Sequence, residues 1–413
     1  MTLRSGPGRL QGRVGRRTHL RVAPPARLWH TGLGLHHPHA ENPHGTTTRP
    51  GDAGDGPAPP RVIAWEVTRS CNLACVHCRA SAVHGPYEGE LSTAEAFTLV
   101  DQIASFANPI LILTGGDPLM RADIFDIAEY AIGKGLRTVM SPNGTLVTPE
   151  VAQRMHDVGI ARVSISIDFP TAAEHDEFRG VPGAFDGAVR GIENCLAAGV
   201  EVQINSTITK LNAHYLPALL QLADDLGAVS FHPFMLVPTG RGKELEEQEL
   251  PPDEYEKALE WMYDAQQESK LFMKPTDVPH YWRVMRQRAK AQGRKLEVHP
   301  HSHGGMNTLS RGCLAGIGFC FISHIGEVQG CGYFDKVAGD VRKQTFPEVW
   351  RDSPLFNELR DFDGLKGKCG ACEFKKVCGG CRARAYEATG DYMAEEPYCA
   401  YVPKGWCIPA AGV

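Results

Sequence analysis

Arg69-Ser70-Cys71-Asn72-Leu73-Ala74-Cys75-Val76-His77-Cys78 follows directly on Val62–Thr68, the first apolar, strand-like run of a 413-residue chain. Three cysteines spaced C-x3-C-x2-C can wrap one corner of a [4Fe–4S] cube, whose usual ligands are thiolates. Four ligands would close the cube and leave an electron carrier. Three leave one iron open, and an open metal position is what chemistry requires. The competing readings are a zinc site, which wants four ligands, and three incidental buried thiols.

Downstream of the loop, strand-like runs alternate with amphipathic segments. Ile110–Thr114, Arg137–Ser141, Arg162–Ile167, Glu201–Ile208 and Ser230–Leu236 read as further strands. Thr93–Phe106, Ile124–Gly133, Pro149–Val158, Ala184–Ala198 and Tyr215–Leu226 read as helices between them. Ser92 with Glu95 makes a capping box for the first helix, and Thr148-Pro149 opens the third. Six strands alternating with helices predict parallel βα units, too few for an eight-fold barrel. The expected fold is α/β, an open partial (β/α)6 barrel spanning 61–250, with sites at the C-terminal strand ends. In the helical linker region 251–310, residues 251–290 are expected to be helical and 291–310, polar with Gly and His, a loop; 311–403 is expected to be a small Cys- and Gly-rich domain held by metals more than by a core. Residues 1–60, rich in Arg, Pro, Gly and His, read as a disordered leader, and 404–413 as a tail. The leader's Leu35–His39 tract could bind a metal weakly, but a solvated tail is the simpler reading.

The net charge of −5 gives no global signal for nucleic acid or an anionic membrane surface, and no apolar run reaches 18 residues. The 13 cysteines are an odd count and mostly fall in two clusters. With no signal-peptide pattern, thiols in a reducing, cytoplasmic setting are expected to serve as metal ligands rather than disulfides.

Cys71, Cys75 and Cys78, at this spacing after the first strand of a βα series, resemble the signature of the radical S-adenosylmethionine (SAM) superfamily. The resemblance implies that SAM chelates the open iron and is split to a 5′-deoxyadenosyl radical. It places His77 near the adenine. It also matches Thr114-Gly115-Gly116-Asp117-Pro118 to a GGEP-like segment that contacts SAM, with Asp117 in the Glu position. Ser166 and Asp168 resemble the polar pair that meets SAM at the end of the fourth strand. Asn143 and Asn205 are candidates of the same kind, or strand-end caps.

The second cluster reads C-x2-C-x5-C-x2-C-x17-C from Cys369 through Cys372, Cys378 and Cys381 to Cys399, preceded by Cys313, Cys320 and Cys331. It resembles the SPASM domain, which binds one or two auxiliary [4Fe–4S] clusters. By that resemblance Cys369, Cys372, Cys378 and Cys399 hold one cluster, and Cys313, Cys320, Cys331 and Cys381 the other. Cys320 sits in an apolar run. Cys195 reads as structural and Cys407 is unassigned.

Phe231–Gly242, Pro279-His280-Tyr281, Gly318–His324, Cys378–Tyr386 and Gly390–Cys399 resemble the radical SAM enzymes of the siroheme-dependent heme pathway. This implies oxidative decarboxylation of two propionates of Fe-coproporphyrin III to vinyl groups, giving heme b. It also implies a flavodoxin- or ferredoxin-type electron donor, and no nucleic-acid or membrane partner. Siblings that remove acetate side chains or act in heme d1 synthesis, and SPASM peptide maturases, are the alternatives. Arg241, Lys274, His280 and Arg283 are candidate partners for substrate carboxylates, and His324 for the porphyrin or its iron. Where the resembling enzymes carry a Thr-Cys-Ala-Pro-His-Tyr-like run, this chain has Thr276-Asp277-Val278-Pro279-His280-Tyr281.

Overall fold

A computed structural model describes residues 56–294 and 311–406. The Leu35–His39 tract, Cys407 and most of the loop over 291–310 lie outside the described residues. Ten strands form one sheet: β1 Val62–Thr68, β2 Ile110–Gly115, β3 Arg137–Met140, β4 Val163–Ser166, β5 Val202–Ile208, β6 Ser230–Met235, β7 Phe272–Met273, β8 Phe319–Ile322, β9 Glu327–Cys331 and β10 Phe334–Asp340. Their order is β10-β9-β8-β1-β2-β3-β4-β5-β6-β7. From β8 to β7 every pairing is parallel, and β9 and β10 extend the far edge antiparallel.

Helices α1 Thr93–Phe106, α2 Ile124–Gly133, α3 Pro149–Val158, α4 Ala172–Arg179, α5 Ala184–Ala197 and α6 Leu216–Asp225 fill the crossovers, followed by α7 Pro252–Glu268 and α8 Tyr281–Ala291. The capping box of α1 forms in both directions, and Thr148 caps α3 ahead of Pro149. Alternation along β1 splits its side chains between the two faces. Ile63, Trp65 and Val67 go to the core with Leu99, Val100 and Ile103 of α1, and Glu66 to the other face.

Two features differ from the sequence expectation. The region 251–290 is not all helical, because β7 separates α7 from α8 and adds a seventh strand. A run of two residues is too short to show a period in sequence. The C-terminal region also has a true core: Phe334, Phe346, Trp350 and Phe356 are fully buried, and β8 pairs with β1 over Val62–Trp65. Trp350 Nε1 donates to the Ala58 carbonyl at 2.9 Å, and the Phe346 amide donates to Gln102 of α1 at 2.8 Å. No helix among the described residues is long and apolar enough to cross a membrane.

Candidate active site

The register of β1 against β2 shifts between Glu66 and Thr68, and the chain then turns into the cysteine loop at the C-terminal end of the strand. The loop is fixed by its backbone: Cys71 N–H donates to Val83, Ala74 N–H to Arg179 and Val76 N–H to Phe178. Each of the three sulfurs accepts one hydrogen bond. Cys71 receives the Leu73 amide (3.4 Å), Cys78 the Ala82 amide (3.4 Å) and Cys75 the Arg179 guanidinium (3.7 Å). Burial pushes the Cys71 thiol up to about 11 and raises Cys75, against the pull of Arg179. Thiols that are costly to ionise alone, yet already met by donors, suit binding as thiolates to a positively charged cluster. Among the described residues no group of three or more His, Cys, Asp or Glu could hold a single metal ion.

Arg179, at the end of α4, is the loop's main charged support. Its Nε donates to Asp168 at 2.6 Å, and the other Asp168 oxygen accepts the Thr207 amide at 2.7 Å. Burial opposes ionisation of Asp168, but Arg179 holds its carboxyl below the ordinary range. Asp168 is therefore committed to protein partners on both oxygens. His77 stacks on Phe178 at 4.2 Å, with its Nδ1 buried and unpartnered. Burial, reinforced by Arg179, lowers its pKa to about 3, so the ring is neutral.

The Gly-Gly-Asp turn is clamped to the loop. Gly116 N–H donates to Thr68 and Asp117 N–H to Ser70. A Cβ on Gly116 would lie 2.4 Å from the Arg69 and Ser70 carbonyl oxygens, so only glycine fits this approach. Asp117 is wholly buried, which raises its carboxyl to about 6 although the amides of Leu119 and Asn143 bond to it. Asn143 in turn donates to Asn72 at 2.7 Å, joining the end of β3 to the cysteine loop. Ser166 and Asn205 sit opposite each other on β4 and β5, and Asn205 accepts from Gln203.

The candidate substrate residues scatter. Arg241 is part of the loop's scaffold: its guanidinium donates to the Cys75 and Ala82 carbonyls at 2.8 and 2.7 Å. Arg283 on α8 pairs with Glu256 at 2.6 Å. Lys274, just beyond β7, forms no ion pair among the described residues, and burial lowers its pKa. His280 is buried with neither ring nitrogen bonded. His324 lies 2.9 Å from Glu66.

Glu66 is a centre that the sequence reading missed. Burial alone would raise its carboxyl, but Arg79, His324 and Arg69 bring it down to about 2. The available signal was one acid inside an apolar strand. Tyr333 was missed too, and it lies within electrostatic reach of both Cys78 and Cys331.

Cys369, Cys372, Cys378 and Cys399 line one cavity, together with His280, Arg283 and Glu396. Amides of Glu396, Phe374 and Gly380 point at the sulfurs of Cys369, Cys372 and Cys378 at 3.3–3.4 Å. Cys313, Cys331 and Cys381 form a separate neighbourhood, in which Cys313 and Cys381 help burial to raise the Cys331 thiol. Cys320 does not join them. It is fully buried on β8 opposite Ile63 of β1, and burial alone accounts for its raised pKa. Cys195, equally buried, packs in the main core.

Arg384 joins the barrel to the C-terminal region. Fully buried, it bonds to Glu249 (2.8 Å) and Glu396 (3.5 Å) and to the backbone carbonyls of Leu236 and Asp277.

Comparison with known proteins agrees with this geometry. Residues 65–223 match the radical SAM superfamily and 313–381 an iron–sulfur cluster-binding domain, SPASM. The chain is 54% identical over 361 residues to an AdoMet-dependent heme synthase of Nitratidesulfovibrio vulgaris, covering 87% of this chain and 98% of the relative. It is 33% identical to an Fe-coproporphyrin III synthase of Methanosarcina barkeri, covering 82% and 87%. The fold superposes on Streptococcus suis SuiB bound to S-adenosylmethionine with a TM-score of 0.66 at 16% identity, covering 83% of this chain and 78% of SuiB. Its cofactors are a [4Fe–4S] cluster, SAM and auxiliary iron–sulfur centres. The chain is an enzyme of the radical SAM superfamily, and it belongs to the family that includes the AdoMet-dependent heme synthases.

Proposed function

We propose that this enzyme converts Fe-coproporphyrin III to heme b by oxidative decarboxylation of two propionate side chains to vinyl groups. The observation that carries the reading is the three-thiol loop at the end of β1, in a chain whose 54% identity to a heme synthase spans nearly all of that relative. The lower identity to an Fe-coproporphyrin III synthase favours this step over its siblings.

Cys71, Cys75 and Cys78 would hold the SAM-binding cluster. Cys369, Cys372, Cys378 and Cys399 would hold one auxiliary cluster, and the neighbourhood of Cys313, Cys331 and Cys381 a second. Loaded with clusters and SAM, the protein gains the hydrogen-atom abstraction and one-electron acceptance that each propionate requires. Each side chain then loses a hydrogen atom, CO2 and an electron.

The chain's own residues supply order and charge. Asp168 holds Arg179 against Cys75, and Arg241 holds the loop carbonyls. The Gly115–Asp117 turn, with Asn143, Ser166 and Asn205, would line the SAM side, and neutral His77 would lie beside the adenine. Lys274, which forms no ion pair among the described residues, would meet a substrate carboxylate. Arg283 and Arg241, already engaged, are left with structural roles. His324, held by Glu66, would face the macrocycle. A flavodoxin- or ferredoxin-type protein would deliver the electrons.

Anaerobic protein with reductant, SAM and Fe-coproporphyrin III should give 5′-deoxyadenosine and a product lighter by two formic acid equivalents. Deoxyadenosine with unchanged porphyrin mass would redirect the assignment to another substrate. No deoxyadenosine above a Cys75→Ala control would remove the radical chemistry itself.

A further inference from the structure

The second auxiliary site has three thiols where a closed cube needs four ligands, and the register of the sheet excludes Cys320. Phe321 on β8 pairs with Gln329 on β9, and Gln329 and Cys331 are two residues apart, so all three share a face. Cys320, next to Phe321, points to the opposite face, where Ile63 of β1 lies beside it. The Phe321 face looks into the barrel, because its ring carries the Arg79 guanidinium at 4.4 Å, one residue beyond Cys78.

Asp277 is a candidate for the missing ligand. It follows β7 and lies within electrostatic reach of both Cys331 and Cys381. Its backbone adopts φ +60°, a left-handed conformation that costs a non-glycine residue energy and that surroundings must enforce. Arg384 enforces it by donating to the Asp277 carbonyl from both Nη atoms at 3.1 Å. The result is a carboxylate whose Oδ2 is buried with no hydrogen-bond partner, and Asp277 forms no ion pair among the described residues. A buried, unsatisfied carboxylate oxygen within reach of Cys331 and Cys381 is expensive unless something else binds it.

We propose that the Asp277 carboxylate is the fourth ligand of the auxiliary cluster held by Cys313, Cys331 and Cys381, and that Cys320 takes no part. The proposal rests on the two-auxiliary-cluster reading above. It makes this cube chemically distinct from its all-cysteine neighbour at Cys369, Cys372, Cys378 and Cys399.

Iron content and low-temperature EPR of the anaerobically reconstituted full chain test it. Cys320→Ala should keep the wild-type iron count and spectrum. Asp277→Asn, which preserves shape, should lose iron at this cluster or convert it to a three-iron form. Asp277→Cys should restore a four-iron cube with an altered spectrum. An unchanged iron count and spectrum in Asp277→Asn would overturn the proposal, as would loss on Cys320→Ala that Asp277→Cys does not rescue. Cys331→Ala separates the two levels. If that variant keeps all its iron, no cluster sits here and the two-cluster reading fails. If it loses iron while Asp277→Asn does not, only the carboxylate ligand fails.

Discussion

At the scale of single residues, the support of the cysteine loop depends on buried charges with little access to water. Arg179 and Asp168 neutralise one another in the interior, so removing one leaves the other uncompensated. Asp168→Ala should lower stability by about 3–5 kcal/mol and weaken iron retention at Cys71, Cys75 and Cys78, read by urea unfolding and iron analysis. Wild-type stability in that variant would mean that water reaches Arg179. Glu66 gives a pH signature. Its pKa in the folded protein, about 2, is below the ordinary carboxylate value. Its contribution, on the order of 3 kcal/mol, is therefore present above about pH 4.5 and disappears as pH falls toward 2. Glu66→Gln should flatten the stability profile in that window. Parallel profiles for the two proteins would count against the Arg79–Glu66–His324 network.

At the scale of elements, the close approaches lie where strands end in glycine turns. A Cβ on Gly240 would meet the Arg79 and Cys78 carbonyl oxygens at 2.3 and 2.5 Å, and its φ is +56°. Gly240→Ala should therefore displace the cysteine loop and lower iron bound there, while the distant Cys369–Cys399 cavity keeps its cluster. Equal loss at both sites, seen by EPR, would indicate general unfolding instead. Much at this scale was legible beforehand. β1, α1, α2 and α3 have the limits that their periodicity and caps predicted, because each pattern repeats over several turns or alternations. The helix Ala172–Arg179 was not legible. Its run AAEHDEFR is largely polar, and its place is set by Arg179 reaching Asp168 and Cys75. The same limit applies to the site. Cysteine spacing marks candidate ligands, but the face of the sheet on which Cys320 falls depends on pairing Cys320 with Ile63, 257 residues earlier. The roles of Arg241 and Asp168 were likewise set by distant carbonyls and cations, which a linear reading does not display.

At the scale of the molecule, the barrel and the C-terminal region are one structure. β8 supplies the second hydrogen-bonding neighbour of β1, and Trp350 and Phe346 bond back to Ala58 and Gln102. A chain truncated after residue 310 should consequently not survive as a soluble barrel, since it exposes the outer edge of β1 and apolar surface that Phe346 and Trp350 cover. A soluble truncated protein with a cooperative unfolding transition would show that the barrel stands alone. Trp350→Ala in the full chain should cost about 3–5 kcal/mol, in a single transition shared by barrel and C-terminal probes.

The pairing of β1 with β8 also sets a timetable. Once made, β1, the first strand among the described residues, waits about 250 residues for its second neighbour, and closing so long a loop is slow. During that wait the nascent loop cysteines sit at the end of a half-paired strand, open to oxygen and to stray metals. Cells making this protein should therefore gain more from cluster delivery after release than during translation.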